Sequence, residues 1–430
     1  MELYYGGKIY TMEHENELVE AILVDAGIIV EVGTFQKLQP HAKKLHNLNG
    51  ATMYPGFVDS HLHIIGLGEK LQRLQLGHVK SKDEMLHEIS RAIDQVNEGE
   101  WLICEGWNEY SLPNDKMITL EELDAISTRP VLLHRVCHHV LLCNSIAMRE
   151  SGVTEHTVSP QGGRIGKGLT YRLTGYFYDE ATNLILKTLP QSGEAYVRHL
   201  TNALDTAIDE MHRFGLVGGH TEDLAYYGHF INVVQAFQNT IGEKRHFRAH
   251  LLRHHKVFEE MMDVDLLEID DFLEYGAMKI FADGSFGGST AALLEPYADD
   301  AQNVGMLLHS DEQFSRFVQT ARKYGEAIAV HMIGDAAAQQ VLKYIEQFPA
   351  PKGKKDRLIH CCLLNDDLVA RMKKLPVILD IQPAFVTSDF PWVQKKIGEH
   401  RMKWAYAWKS LSDFECAIGT DAPIEGINPF

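Results

Sequence analysis

The sequence predicts an α/β fold: a (β/α)8 TIM barrel, with a small β unit in front of it and a large insertion after the first barrel strand. Three observations point there. From about residue 195 onward, strand-like and helix-like segments alternate, as parallel β/α units do. An apolar strand, "MYPGFVDSHLH", stands well ahead of that series, and residues 66–195 between the two break the rhythm. No GxGxxG turn follows the first strand, which counts against a doubly wound open sheet, the alternative arrangement.

The elements justify this in order. "ELYYGGKIYTM" and "AILVDAGIIVEVG" are short and strand-like, with Gly6-Gly7 and Ala26-Gly27 where hairpin turns would fall. Residues 66–195 hold "EGWNEY", "LHRVCHHVLLCNSIAM" and a glycine-rich piece, "SPQGGRIGKGLTYRLTG". A long insertion after a barrel strand would sit over the barrel mouth and shape a substrate pocket. Then "EAYVRHLTNALDTAIDEMHRFG" carries Leu200, Leu204, Ile208 and Met211 at helical spacing. Six strands after residue 215, one further strand and "MYPGFVDSHLH" at the front make eight. The basic loop "PAPKGKKD" reads as solvated surface.

Composition narrows the function. The chain has 430 residues and a formal net charge of −18, which argues against nucleic-acid or anionic-membrane partners. No segment of "MELYYGGKIYTMEHEN" resembles a secretory leader, and none of the chain approaches a membrane span. Six cysteines without CxxC spacing fit a reducing, cytoplasmic setting. Histidine, with 23 copies, is the outlier, and it is the commonest metal ligand.

The placement of those histidines carries the chemistry. In "GFVDSHLHI", His61 and His63 are two apart at a strand end, so both rings share a face. His331 ends "AIAVHMIGD", His360 ends "RLIHCC" and Asp421 ends "CAIGTDAP". In a β/α barrel the carboxyl ends of the strands meet at one face. Four imidazoles and a carboxylate there match the ligand set of zinc, manganese or iron. In "YGAMKIFADG", Lys279, Phe281 and Asp283 share a face opposite Met278, Ile280 and Ala282. A buried amine loses its charge or finds a partner. The strand pattern alone favours pairing of Lys279 with Asp283 or another acid; a carbamate formed with carbon dioxide, able to bridge two metals, is the alternative.

Taken together, "PGFVDSHLH", "MKIFADGSFGGSTAALLEPY", "AVHMIGDAA", "LIHC" and "IGTDAP" resemble the amidohydrolase superfamily, in particular its amidohydrolase-3 branch, which includes N-substituted formamide deformylases. "GWNEY", "QGGRIGKG" and "RLTGYFYDEA" in the insertion are similar to that branch as well. The resemblance implies a metal-dependent hydrolase on a barrel spanning residues 53–430, with residues 1–52 forming the N-terminal part of a small β-sandwich. It implies His61, His63, Lys279, His331, His360 and Asp421 as metal ligands, with Lys279 carbamylated. It also implies that strands following the barrel complete the sandwich; these would lie beyond Phe430. Where the branch often reads "GSRTAAL", this chain reads "GGSTAAL", so a basic residue is missing, and His138 stands where a small residue is usual.

The expected reaction is hydrolysis of a non-peptide C–N bond, amide or formamide-like, by metal-activated water with Asp421 as general base. Zinc is the first expectation, one or two ions per chain, with carbon dioxide as the adduct on Lys279. Trp107, His139 and Phe177 from the insertion, and Asp283, are candidate substrate contacts; packing within the insertion is the competing reading for the first three. The expected partner is a small amide-type substrate, and a homodimer is compatible with such a barrel. The rivals are a mononuclear deaminase, lyase or isomerase on the same fold, and a non-catalytic metal-binding relative.

Overall fold

A computed structural model describes residues 1–96, 100–108, 117–135, 140–189, 192–242, 245–264 and 272–430. The chain forms two compact units. The smaller takes in Met1–Val58 with Gly215–Val217 and Pro429. Its sheet runs in the order Ile28–Gly33, Leu18–Asp25, Glu2–Tyr10, Lys44–Asn47, and Thr52–Met53 also pairs with Glu2–Tyr10. Leu3, Ala21, Leu23 and Leu38 form its core. Ala26-Gly27 is the expected hairpin turn, with φ of 47° and 82°, positive at both central positions as the right-handed strand twist favours. Gly6-Gly7 is not a turn. The strand Glu2–Tyr10 runs straight through it, and the register shifts there as a β-bulge. Gly6 has φ +77°, a conformation glycine adopts without strain, and a Cβ on Gly7 would lie 2.1 Å from the Ala51 carbonyl oxygen, so both positions favour glycine.

The larger unit is built on a nearly closed parallel barrel. Its strands are β1 (Phe57–Leu62), β2 (Leu216–Thr221), β3 (Arg248–His254), β4 (Leu273–Phe281), β5 (Ile328–Met332), β6 (Asp356–His360), β7 (Val377–Ile381) and β8 (Cys416–Ile418). They lie side by side in sequence order. The turn after β8 completes the ring on the β1 side. Asp421 N–H donates to the His61 carbonyl at 2.7 Å, and His63 N–H donates to the Ala422 carbonyl at 2.7 Å. Helices cover the outside because alternate strand residues are apolar. Met278, Ile280 and Ala282 of the β4 segment face the core shared with the helices Asp311–Lys323 and Asp335–Gln347. Among the described residues, no helix is long and apolar enough to cross a membrane.

The barrel interior carries a buried polar layer. Arg357 on β6 donates to Asp380 Oδ2 on β7 (2.8 Å), to His220 Nδ1 on β2 (2.6 Å) and to the Ser60 carbonyl on β1 (2.6 Å). One guanidinium thereby ties four strands.

Between β1 and β2 lie several helices and a second sheet. Its order is Gly163–Lys167, Leu173–Asp179, Val140–Cys143, Val131–Arg135, Leu102–Trp107, Leu74–Gln75. Each face of this sheet has its own apolar core. Leu76, Met85, Ile89, Leu133 and Tyr176 fill one; Leu132, Leu141, Cys143, Ile165 and Ala181 fill the other.

Candidate metal centre

The strand ends and the turn after β8 bring the ligand-type side chains into one space. His61 lies in β1 and His63 just beyond it, capping the helix Ile64–Gln72. Asp421 Oδ1 is 3.5 Å from His61 Nε2 and 3.5 Å from His63 Nε2. The donor atoms of these three residues all lie within 4.8 Å of one another. Lys279 Nζ, fully buried, is 3.1 Å from His61 Nε2. The His360 ring centre is 5.5 Å from that of His61 and 4.6 Å from that of His331.

Three of the four rings have one nitrogen tied down and the other left over. The His63 Nδ1–H donates to the Glu222 carbonyl at 2.6 Å, which leaves the Nε2 lone pair toward Asp421. The His360 Nδ1–H donates to Gln382 Oε1 at 2.8 Å, and the Gln382 amide donates in turn to the Asp380 carbonyl. The His331 Nε2–H donates to the Gly284 carbonyl at 3.0 Å, leaving Nδ1. Carbonyl-type acceptors behind imidazoles set the tautomer and aim the other nitrogen at a metal. His61 Nδ1 is buried without any hydrogen-bond partner. The other nitrogen of that ring, Nε2, lies beside the Asp421 carboxylate and close to His63 and His360, a donor set that fits a divalent cation.

The charges suit that role. Burial drives His61 and His331 well below the ordinary histidine range and His360 down to about 4, so these rings are neutral, the form that binds metal. Burial works against charge on His63 too, but the hydrogen bond and charge of Asp421 outweigh it and hold the ring above its usual value. Burial likewise opposes ionisation of Asp421; His63, His360 and Lys279 overcome it and keep the carboxyl below the usual range. Burial pushes Lys279 down to about 8, against the pull of Glu222 and Asp421.

Asp283 does not pair with Lys279. Its Oδ2 accepts from the backbone N–H groups of Ala292 (2.9 Å) and Gly334 (2.8 Å), and its Oδ1 from Ile333 N–H (3.0 Å). It clamps the loop after β4 to the turn after β5, which carries His331. Burial, opposed by those donors, pushes its carboxyl up to about 7. The expected substrate contacts separate as well. Trp107 and Phe177 are buried in the two cores of the inserted sheet, Trp107 donating toward the Leu133 carbonyl at 3.4 Å, so both are packing residues here. His139 lies outside the described residues.

Three acids at the centre are missing from the sequence reading. Asp59 accepts from His61 N–H (3.0 Å), Thr420 N–H (3.0 Å) and the Thr420 hydroxyl (2.6 Å), locking β1 to the loop that carries Asp421. Glu222 and Asp223, just past β2 in "GGHTED", are both fully buried. Their position after a barrel strand, matching that of the histidines, is the signal that could have found them. Three residues here have positive φ without being glycine: His360 (76°), Cys361 (49°) and Asp421 (57°). Such backbone strain gathers where side-chain direction is over-determined by its surroundings.

Comparison with known proteins gives the family and the fold. A model of the amidohydrolase family matches residues 44–430. The putative amidohydrolase YtcJ of Bacillus subtilis (strain 168) is 43% identical over 436 residues, covering 99% of this chain and 82% of that protein. The N-substituted formamide deformylase of Arthrobacter pascens is 24% identical, over 90% of this chain and 73% of that protein. The crystal structure of an uncharacterized metal-dependent hydrolase from Pyrococcus furiosus superposes with a TM-score of 0.81 at 25% identity, covering 100% of this chain and 86% of that one.

Proposed function

The chain belongs to the amidohydrolase family, and from that premise we propose that it is a metal-dependent hydrolase of a non-peptide C–N bond, of amide or formamide type. The observation that carries this is the group His61, His63 and Asp421, with all donor atoms within 4.8 Å and Lys279 beside it. The likeness to an N-substituted formamide deformylase supports the choice of bond.

A divalent cation, zinc first, would be held by His61, His63 and Asp421; His331, His360 and a carbon dioxide adduct on Lys279 would extend the set to two ions. Such an ion supplies Lewis acidity to water and to the substrate carbonyl. The chain's own part is proton handling and aim. Asp421, held ionised, takes the proton of the attacking water and returns it to the leaving nitrogen. Asp59 keeps Asp421 on the β1 side, and Asp283 holds the turn that follows His331 and β5.

The experiment is a screen of N-formyl and N-acyl amines on zinc-loaded protein, repeated with Asp421→Asn. Turnover should fall by about 10²- to 10⁴-fold in protein kept saturated with zinc, its occupancy checked by elemental analysis. An Asp421→Asn variant with near-normal turnover would rule out the base. For Lys279→Ala, metal per chain should drop, and short carboxylic acids should restore part of it.

A further inference from the structure

We propose that Glu222 is part of the metal centre, supplying a negative charge beside the bound cation that raises its affinity. This rests on the metal-dependent reading above. Glu222 directly follows β2 and its backbone is held at the ligand pair by two bonds: its N–H donates to the carbonyl of Leu62, the residue between His61 and His63 (3.0 Å), and its carbonyl accepts from His63 Nδ1 (2.6 Å). The side chain is fully buried, and neither carboxylate oxygen finds a hydrogen-bond donor among the described residues. Its neighbour Asp223 differs, with Oδ2 accepting from Ile65 N–H (3.2 Å) and from the Thr221 hydroxyl.

A buried carboxylate with no donor is strongly disfavoured unless another charge compensates it. The nearby groups are already committed. His63 spends Nδ1 on the Glu222 backbone and turns Nε2 to Asp421, and Lys279 Nζ sits on His61. Lys279 and His63 still act on the carboxylate through space, and a cation held between His61, His63 and Asp421 would add the charge that no donor supplies. The Glu222 oxygens lie outside that tight donor group. Glu222 therefore acts as an adjacent charge, not as a further ligand of the group. The same residue aims His63 with its backbone and balances the cation with its side chain.

The test measures zinc affinity by competition with a chromophoric chelator, together with thermal unfolding of metal-free and zinc-loaded protein, for wild type and Glu222→Gln. Gln keeps the shape and removes the charge. The expected result is a loss of zinc affinity of about tenfold or more, with the metal-free variant melting at or above the wild-type temperature. Equal affinity in the two proteins overturns the proposal and leaves the hydrolase reading standing. A wild type that binds no divalent metal overturns both. Should Glu222→Gln fail to fold, Glu222→Met, apolar and of similar length, carries the same expectations.

Discussion

Single residues at this centre are placed by hydrogen bonds from neighbouring strands, so their loss should act on position before chemistry. Asp59 shows this most directly. Asp59→Ala leaves two backbone N–H groups and a hydroxyl without their acceptor. The cost should be about 1–3 kcal/mol in a denaturant titration, with weaker metal binding because His61 and Asp421 lose their common anchor. His220 offers a pH test away from the metal ligands. Burial, reinforced by the Arg357 charge, lowers it to about 2, and its Nδ1 is occupied as acceptor from Arg357. The unfolded chain binds a proton near pH 6.5 that the folded ring refuses. Stability from this group is therefore fully present above about pH 6.5 and declines as the pH falls below it. His220→Asn should flatten the stability slope between pH 6.5 and 4.5 by up to one proton, measured by denaturant unfolding across that range. Asp421 and His360 show what a residue-level reading can and cannot see. Their identities and strand-end positions are visible in "IGTDAP" and "RLIHCC", but their positive φ values arise only once the barrel closes on them.

At the scale of elements, periodicity reports which face of a helix or strand is apolar and says little about what lies opposite. The helix Gly193–Arg213 buries Leu200, Leu204, Ile208 and Met211, the spacing visible in the sequence. Its partner is not visible there. Gly68 on the helix Ile64–Gln72 lets the two backbones touch: a Cβ at that position would lie 1.9 Å from the Ala203 carbonyl oxygen. Gly68→Ala must push the helices apart and should cost about 1–3 kcal/mol, read as a lowered melting temperature without a change in the far-ultraviolet signature. Trp107 and Phe177 make the same point within the inserted sheet. The sequence leaves substrate contact and packing both open for them; the structure puts each in a sheet core, because a mixed sheet with both faces covered buries both sets of alternate residues. Gly6-Gly7 looked like a turn because two adjacent glycines usually punctuate strands. A bulge uses the same positive φ while the strand continues.

For the whole molecule, the centre couples metal binding to folding. Residues separated by up to 360 positions, from His61 to Asp421, come within reach only in the closed barrel, so a cation that binds them stabilises that barrel alone. At a free zinc concentration about 100 times the dissociation constant, the linkage amounts to about 2.7 kcal/mol. Removal of metal by a chelator should lower the unfolding temperature, with the drop growing with the zinc concentration used before removal. The Arg357 layer beneath acts across the same four strands without metal. Arg357→Leu strands a buried Asp380 and should cost about 3–5 kcal/mol, and this loss should persist in the metal-free protein. The sequence by itself determined the alternation of strands and helices, the insertion's place and five strand-end side chains of metal-ligand type, because strand period and strand-end chemistry are local properties of the chain. Only the tertiary structure decided that Asp283 clamps loops, that Asp59 anchors Asp421 and that Glu222 is enclosed beside His63 without a donor. Those facts depend on which strands lie side by side and what each buried oxygen finds across the gap, and no local pattern carries that information.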